Sequence, residues 1–164
     1  MTAALGIAIR AATADDVEAL VALVNLAYRV EDFFIDGDRT DAAELRGLLA
    51  EHVFLVAVEE GGGGGLAAAV LIELREGGAR GYFGMLSVDP ARQGMGLGRR
   101  MVGAAEEYCR ARGCRRMELQ TVSLRTELPP FYERLGYVRS GTKEFPDIPK
   151  KKRACHFVLM EKVL

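Results

Sequence analysis

Seven residues, Arg92-Gln93-Gly94-Met95-Gly96-Leu97-Gly98, carry the strongest chemical signal in the chain. They stand between an apolar stretch at 82–90 and a helical pattern at 99–112. Glycine lets the backbone approach a ligand closely, and the first N–H groups of a helix have no internal partner and favour an anion. Three alternate glycines at such a junction therefore read as a phosphate cradle; a tight strand-to-helix turn is the plainer alternative. Two common phosphate loops do not fit. The dinucleotide fingerprint wants a third glycine three residues after the second, where Arg99 or Met101 stands depending on the starting pair. A Walker A loop needs Gly-Lys-Ser/Thr after its second glycine, and that is absent.

The elements that must hold this loop follow from periodicity. Residues 7–13 alternate like a strand, and Thr13 caps a helix whose first turn carries Asp15 and Asp16. Val17, Leu20, Val21, Val24 and Tyr28 continue that helix, the stretch 29–39 breaks its period, and helix resumes at Thr40. Strands are predicted over 53–60 and 66–74, joined by the glycine run Gly61–Gly65 as a slack hairpin tip. A strand over 81–90 ends at Pro90, and the glycine loop, its helix and a strand over 115–122 follow. After Pro129 and Pro130 comes a short helix, 131–136, with Gly136 at its end, then closing antiparallel strands at 137–145 and 154–163. The order is β-α-α-β-β-β-α-β-α-β-β: one α/β (α+β) domain over residues 1–164, with a mixed, mostly antiparallel sheet flanked by helices.

Composition narrows the function. At 49% hydrophobic and 27% charged, 164 residues can bury a real core. A net charge of −1 offers no general attraction for nucleic acid or an anionic membrane. No apolar run is long enough to span a bilayer, and the N-terminus lacks a basic region followed by an apolar one, so a cytoplasmic protein is expected. Cys109, Cys114 and Cys155 are odd in number and lack zinc spacing, which fits reduced, partly buried thiols. His52 and His156 flank apolar strands with no ligand cluster around them, so no metal is expected.

With the order of elements in view, Gln93-Gly94-Met95-Gly96-Leu97-Gly98 fits a Q/R-x-x-G-x-G/A signature. The preceding "LSVDPAR" and the later "PFYERLGYVRSG" complete a pattern that resembles the GNAT superfamily of N-acetyltransferases. The specific part of the resemblance is 86–138, and the order of elements extends it over nearly the whole chain. It implies acetyl-CoA as cosubstrate, with its pyrophosphate on the backbone N–H groups of Gln93, Gly94, Met95, Gly96, Leu97 and Gly98, and Arg92 and Arg99 adding charge at the mouth. It also implies backbone hydrogen bonds from Leu86 and Val88 to the pantetheine arm, and Tyr132 as the acid that protonates the departing thiolate.

The implied reaction is direct attack by a primary amine of a small molecule or peptide in a ternary complex, since no nucleophile elbow or local cysteine motif is visible. A non-catalytic acyl-CoA-binding module is the second reading; the presence of Tyr132 favours an enzyme, as a monomer or homodimer. Two positions depart from the family pattern. Arg125 stands where many members carry an asparagine, and the central strand has no carboxylate, which leaves the general base unassigned; Glu118 on the next strand reads better as a solvated or paired carboxylate. The acceptor side falls in the family between the first two helices and at the last strands. There, Glu31, Asp32, Asp36 and Asp38 beside Phe33 and Phe34 suit a cationic amine, or form a charged loop over two core rings. Tyr28, Arg29 and Arg39 could equally hold a carboxylate. The run Lys150–Arg153 is a solvated loop or a seat for an anionic part of the acceptor.

Overall fold

The computed structural model describes residues 6–61 and 65–164, so the tip of the expected glycine hairpin, 62–64, lies outside the described residues. Seven strands build the sheet: β1 (Ile7–Ala11), β2 (Val53–Glu59), β3 (Leu66–Arg75), β4 (Arg80–Val88), β5 (Arg116–Val122), β6 (Val138–Glu144) and β7 (His156–Val163). Their order across the sheet is β1-β2-β3-β4-β5-β7-β6, and every neighbouring pair is antiparallel except β4 with β5.

Four helices cover the two faces: α1 (Val17–Ala27), α2 (Ala42–Glu51), α3 (Leu97–Ala111) and α4 (Leu128–Glu133). Strand β2 reads as a continuous apolar run because both of its faces are covered. Phe54 and Val56 pack with Leu20, Val24 and Leu45 of α1 and α2, while Leu55 and Ala57 pack with Met101, Val102 and Ala105 of α3. In α3 the apolar residues Leu97, Met101, Ala105 and Cys109 recur every fourth position, one stripe turned to the sheet.

Several boundaries differ from the periodic reading, each for a local reason. Helix α2 starts at Ala42, because the Asp41 carboxylate accepts the Glu44 N–H at 2.8 Å; the backbone of Thr40 is bound instead by the Asn25 amide. Helix α3 starts at Leu97 rather than Arg99, directly after Gly96. Both prolines lie inside the first turn of α4, where a missing N–H costs nothing.

Two irregularities shape the middle of the sheet. Strands β4 and β5 pair only from Arg80–Tyr82 to Arg116–Glu118 and then part. On the other edge of β4 the register to β3 shifts between Ala69 and Leu71, and Met85 there takes φ 49°, the left-handed region. The extra residue reverses the alternation: Phe83 packs on the α3 face and Met85 on the α1 face, although they are two apart. Among the described residues no helix is long and apolar enough to cross a membrane.

Candidate active site

The parting of β4 from β5 opens a cleft of about 1230 Å³ that runs from the glycine loop, past Tyr132, to the segment between α1 and α2. Its inner wall is bare strand edge. The Asp89 N–H bonds the Ala67 carbonyl on β3 at 2.9 Å. Backbone groups alternate sides along a strand, so those of Val88 and Leu86 turn the other way, into the gap. Both residues line the cleft. They are free to hydrogen-bond an extended amide chain as a missing strand would.

At the head of the cleft the Asp89 carboxylate accepts the Ala91 N–H at 3.0 Å and Pro90 starts a short 3-10 turn. Gly94 and Gly96 then take φ 83° and 76°, which L-residues with a side chain avoid. A Cβ on either would meet nothing within 4 Å, so the space in front of both is open. Gly96 is also the N-cap of the fifteen-residue α3, whose dipole points at that space. Gly98 serves packing: a Cβ there would touch Phe131 of α4 at 3.6 Å and Val88 at 3.9 Å. Gln93 and Arg99 line the cleft, and Leu97 does so while its side chain is in the core. Met95 does not form part of the wall; its side chain is 64% exposed. The Arg92 guanidinium is engaged by Glu59, and Arg100 turns away to the Ile7 carbonyl at 3.1 Å. Beside the backbone N–H groups of the loop, Arg99 lines this end with no ion pair among the described residues.

In the middle, Tyr132 is 5% exposed and packed among aromatic rings: Phe131, Phe83 and Tyr137 have centroids 5.0, 5.8 and 6.0 Å away. Its hydroxyl bonds no other described residue and the residue lines the cleft, in contrast to Tyr137, whose hydroxyl donates to Glu106 at 2.7 Å. Burial raises the Tyr132 phenol well above its usual range, so it stays protonated. Glu118 is locked to Arg80 at 2.6 Å and is a paired carboxylate.

The far end is walled by two loops zipped together. Lys152 N–H donates to the Phe34 carbonyl at 2.7 Å, Asp36 N–H to the Lys150 carbonyl at 2.8 Å, and Lys152 pairs with Asp36 at 3.2 Å. Tyr28, Arg29, Glu31, Asp32 and Arg39 line this wall, together with Lys150 and Lys152 of the basic run. The acidic residues are not one free cluster, however. Glu31 is buried against Arg125 at 2.9 Å and Asp36 is taken by Lys152, which leaves Asp32 and Asp38 without an ion pair among the described residues. Phe34 is core, while Phe33 is exposed under the Arg153 guanidinium. Burial pushes the Tyr28 phenol up to about 12, and the Arg39 guanidinium lies 5.4 Å from its ring centre. Sequence reasoning missed Phe145 and Phe157, whose rings meet at 4.9 Å in the wall, because nothing local to either reports the other.

Residues 18–137 match the Acetyltransferase (GNAT) family, and the chain belongs to that family. Among curated proteins it is 38% identical over 104 residues to glucosamine 6-phosphate N-acetyltransferase 1 of Oryza sativa subsp. japonica. That match covers 61% of this chain and 61% of the relative, so the chain spans about three fifths of the relative's length. The fold is that of solved acetyltransferases. A GNAT-family acetyltransferase from Streptococcus pneumoniae superposes with a TM-score of 0.75 at 22% identity, covering 97% of this chain and 100% of that one. The ribosomal-protein-S18-alanine N-acetyltransferase of Escherichia coli gives 0.78 at 14%, covering 96% and 94%. A Salmonella typhimurium protein solved with its cofactor acetyl-CoA gives 0.71 at 22%, again covering 96% and 94%.

Proposed function

We propose that the chain transfers an acetyl group from acetyl-CoA to a primary amine of a small molecule or peptide, by direct attack within a ternary complex. One observation carries the reading: the open left-handed glycines, the bare edge of β4 and the Tyr132 hydroxyl all line a single cleft. The loop 93–98 takes the pyrophosphate, Leu86 and Val88 take the pantetheine amides, and the thioester reaches the gap beside Tyr132. The uncharged amine nitrogen attacks the thioester carbon and the C–S bond breaks. Tyr132 gives its proton to the departing sulfur and recovers one from the nitrogen of the adduct, which keeps its last hydrogen as the amide N–H. A thiol with a pKa near that of cysteine, about 8.5, takes this proton readily from a positioned phenol.

The far wall supplies acceptor recognition. The rice relative is named for an amino sugar phosphate, and Arg29, Arg39, Lys150 and Lys152 here would suit an amine that carries an anionic group, while Asp32 and Asp38 would suit a cationic one. A cytoplasmic site accords with Cys109, Cys114 and Cys155 being free thiols. The test is thiol release from acetyl-CoA over glucosamine 6-phosphate, spermidine, amino acids, an aminoglycoside and short peptides. Equimolar CoA and acetylated amine with one of them is expected. Tight acetyl-CoA binding with no acetylated product across the set would favour an acyl-CoA-binding module instead.

A further inference from the structure

An acceptor amine reaches neutral solution as an ammonium ion and must lose a proton before it can attack, yet β4 carries no carboxylate for the task. We propose that Glu31 is the general base: its carboxylate takes a proton from the incoming ammonium in the cleft that Tyr132 also lines, an inference that rests on the acetyl-transfer reading above.

Glu31 closes the short 3-10 turn after α1 and is 8% exposed. Three buried carboxylates occur among the described residues. Asp16 is bound by Arg10 and Glu106 by Tyr137 and Lys162, both away from the cleft; Glu31 alone lines it. The other cleft carboxylates, Asp32, Asp36, Asp38 and Glu127, are exposed to water. The hold on Glu31 is one-sided. Its Oε2 accepts from Arg125 Nη1 at 2.9 Å, and its Oε1 has no hydrogen-bond partner among the described residues. Arg125 is itself fixed from behind by Glu127, so the pair orients the carboxylate without saturating it.

The groups that face Glu31 are Arg125, Arg39, Glu127, Tyr28 and Cys155. Burial raises its pKa, the two arginines lower it, Glu127 raises it, and burial wins. The result is a carboxylate more basic than one in water, the direction that proton abstraction from an amine requires. The protons balance. Of the ammonium's three, one goes to Glu31 and then to solvent, one reaches the CoA sulfur through Tyr132, and one stays on the amide.

Glu31→Gln keeps an oxygen for Arg125 and removes only the basicity. The probes are ethylamine, charged at neutral pH, and hydroxylamine, which is already uncharged there; rates are read as thiol release above background. The expected result is a loss of about tenfold or more with ethylamine at neutral pH, at the low side of general-base effects, that narrows as pH rises towards the amine's own pKa. Hydroxylamine transfer and acetyl-CoA affinity should stay within about threefold, and Glu31→Asp should recover part of the ethylamine rate at neutral pH. Equal losses with both probes, or an ethylamine loss that stays constant as pH rises, would overturn the assignment and leave Glu31 a prop for Arg125. No transfer by the unaltered chain to either probe, with acetyl-CoA still bound, would instead overturn the acetyl-transfer reading.

Discussion

Tyr132→Phe separates chemistry from packing at one atom. The ring is wedged among Phe83, Phe131 and Tyr137, and phenylalanine fills the same space. The hydroxyl makes no hydrogen bond to another described residue, so its loss orphans no partner and stability should change by less than about 1 kcal/mol. What is lost is the proton donor. Burial holds the phenol protonated throughout the working pH range, so in the parent it is always ready to donate and sets no basic limb. General-acid help of this kind is worth about 10²–10⁴-fold, or about 2.7–5.5 kcal/mol of barrier. Part of it is recovered if water reaches the sulfur, so kcat should fall at least about tenfold while CoA affinity holds. The assay is steady-state kinetics with chemistry shown to be rate-limiting, beside a CoA titration of the same variant. A kcat within about threefold of the parent would falsify the role and return Tyr132 to the core.

Gly96→Val should weaken CoA binding in a calorimetric titration by about tenfold or more, since its Cβ enters the open space where phosphate would sit. Its φ of 76° adds backbone strain of about 1–2 kcal/mol, so the titration belongs below the variant's lowered melting temperature, and unchanged affinity there contradicts the phosphate loop. Neutralising Asp32 and Asp38 together should raise KM for a cationic acceptor such as spermidine and leave kcat alone; an unaltered KM makes the loop a solvated lid. Asp16 is held below the ordinary carboxylate range, first by the Arg10 guanidinium and further by the Thr13 N–H. A depressed folded pKa stabilises above the unfolded value of about 3.9 and is lost as pH falls through the folded one, so Asp16→Asn should lower urea stability at pH 7 and narrow the gap to the parent in acid.

What was legible in the sequence was local. The glycine triplet at 94–98 announced itself because left-handed backbone and a helix start both leave marks within a few residues. Tyr132 was found through the short motif around it, and each strand and helix through its period. The features that depend on distant partners were not legible. Nothing near Tyr82 says that β4 and β5 stop pairing there, and period-two alternation would have put Phe83 and Met85 on one face. Glu31 and Arg125 are 94 positions apart, so Glu31 could be read only as part of an acidic run until the fold closed that distance. The pairing of Arg92 at the loop mouth with Glu59 on β2 joins two distant stretches, so nothing local reports it. The basic run at 150–153 reads from sequence as a solvated loop or an anion seat, because its partners, Phe34 and Asp36, are far away along the chain.

Acetyl-CoA lying along the gap, with its pyrophosphate on the loop, is tested most directly by amide chemical shifts in a nitrogen-15-labelled sample titrated with CoA. The amides of Gly94, Gly96, Leu97 and Gly98 should move farthest, in the direction of stronger hydrogen bonding, and those of Leu86 and Val88 should move with them at the same saturation. Shifts that leave these six amides unmoved and gather elsewhere on the protein would contradict the assignment of the cleft.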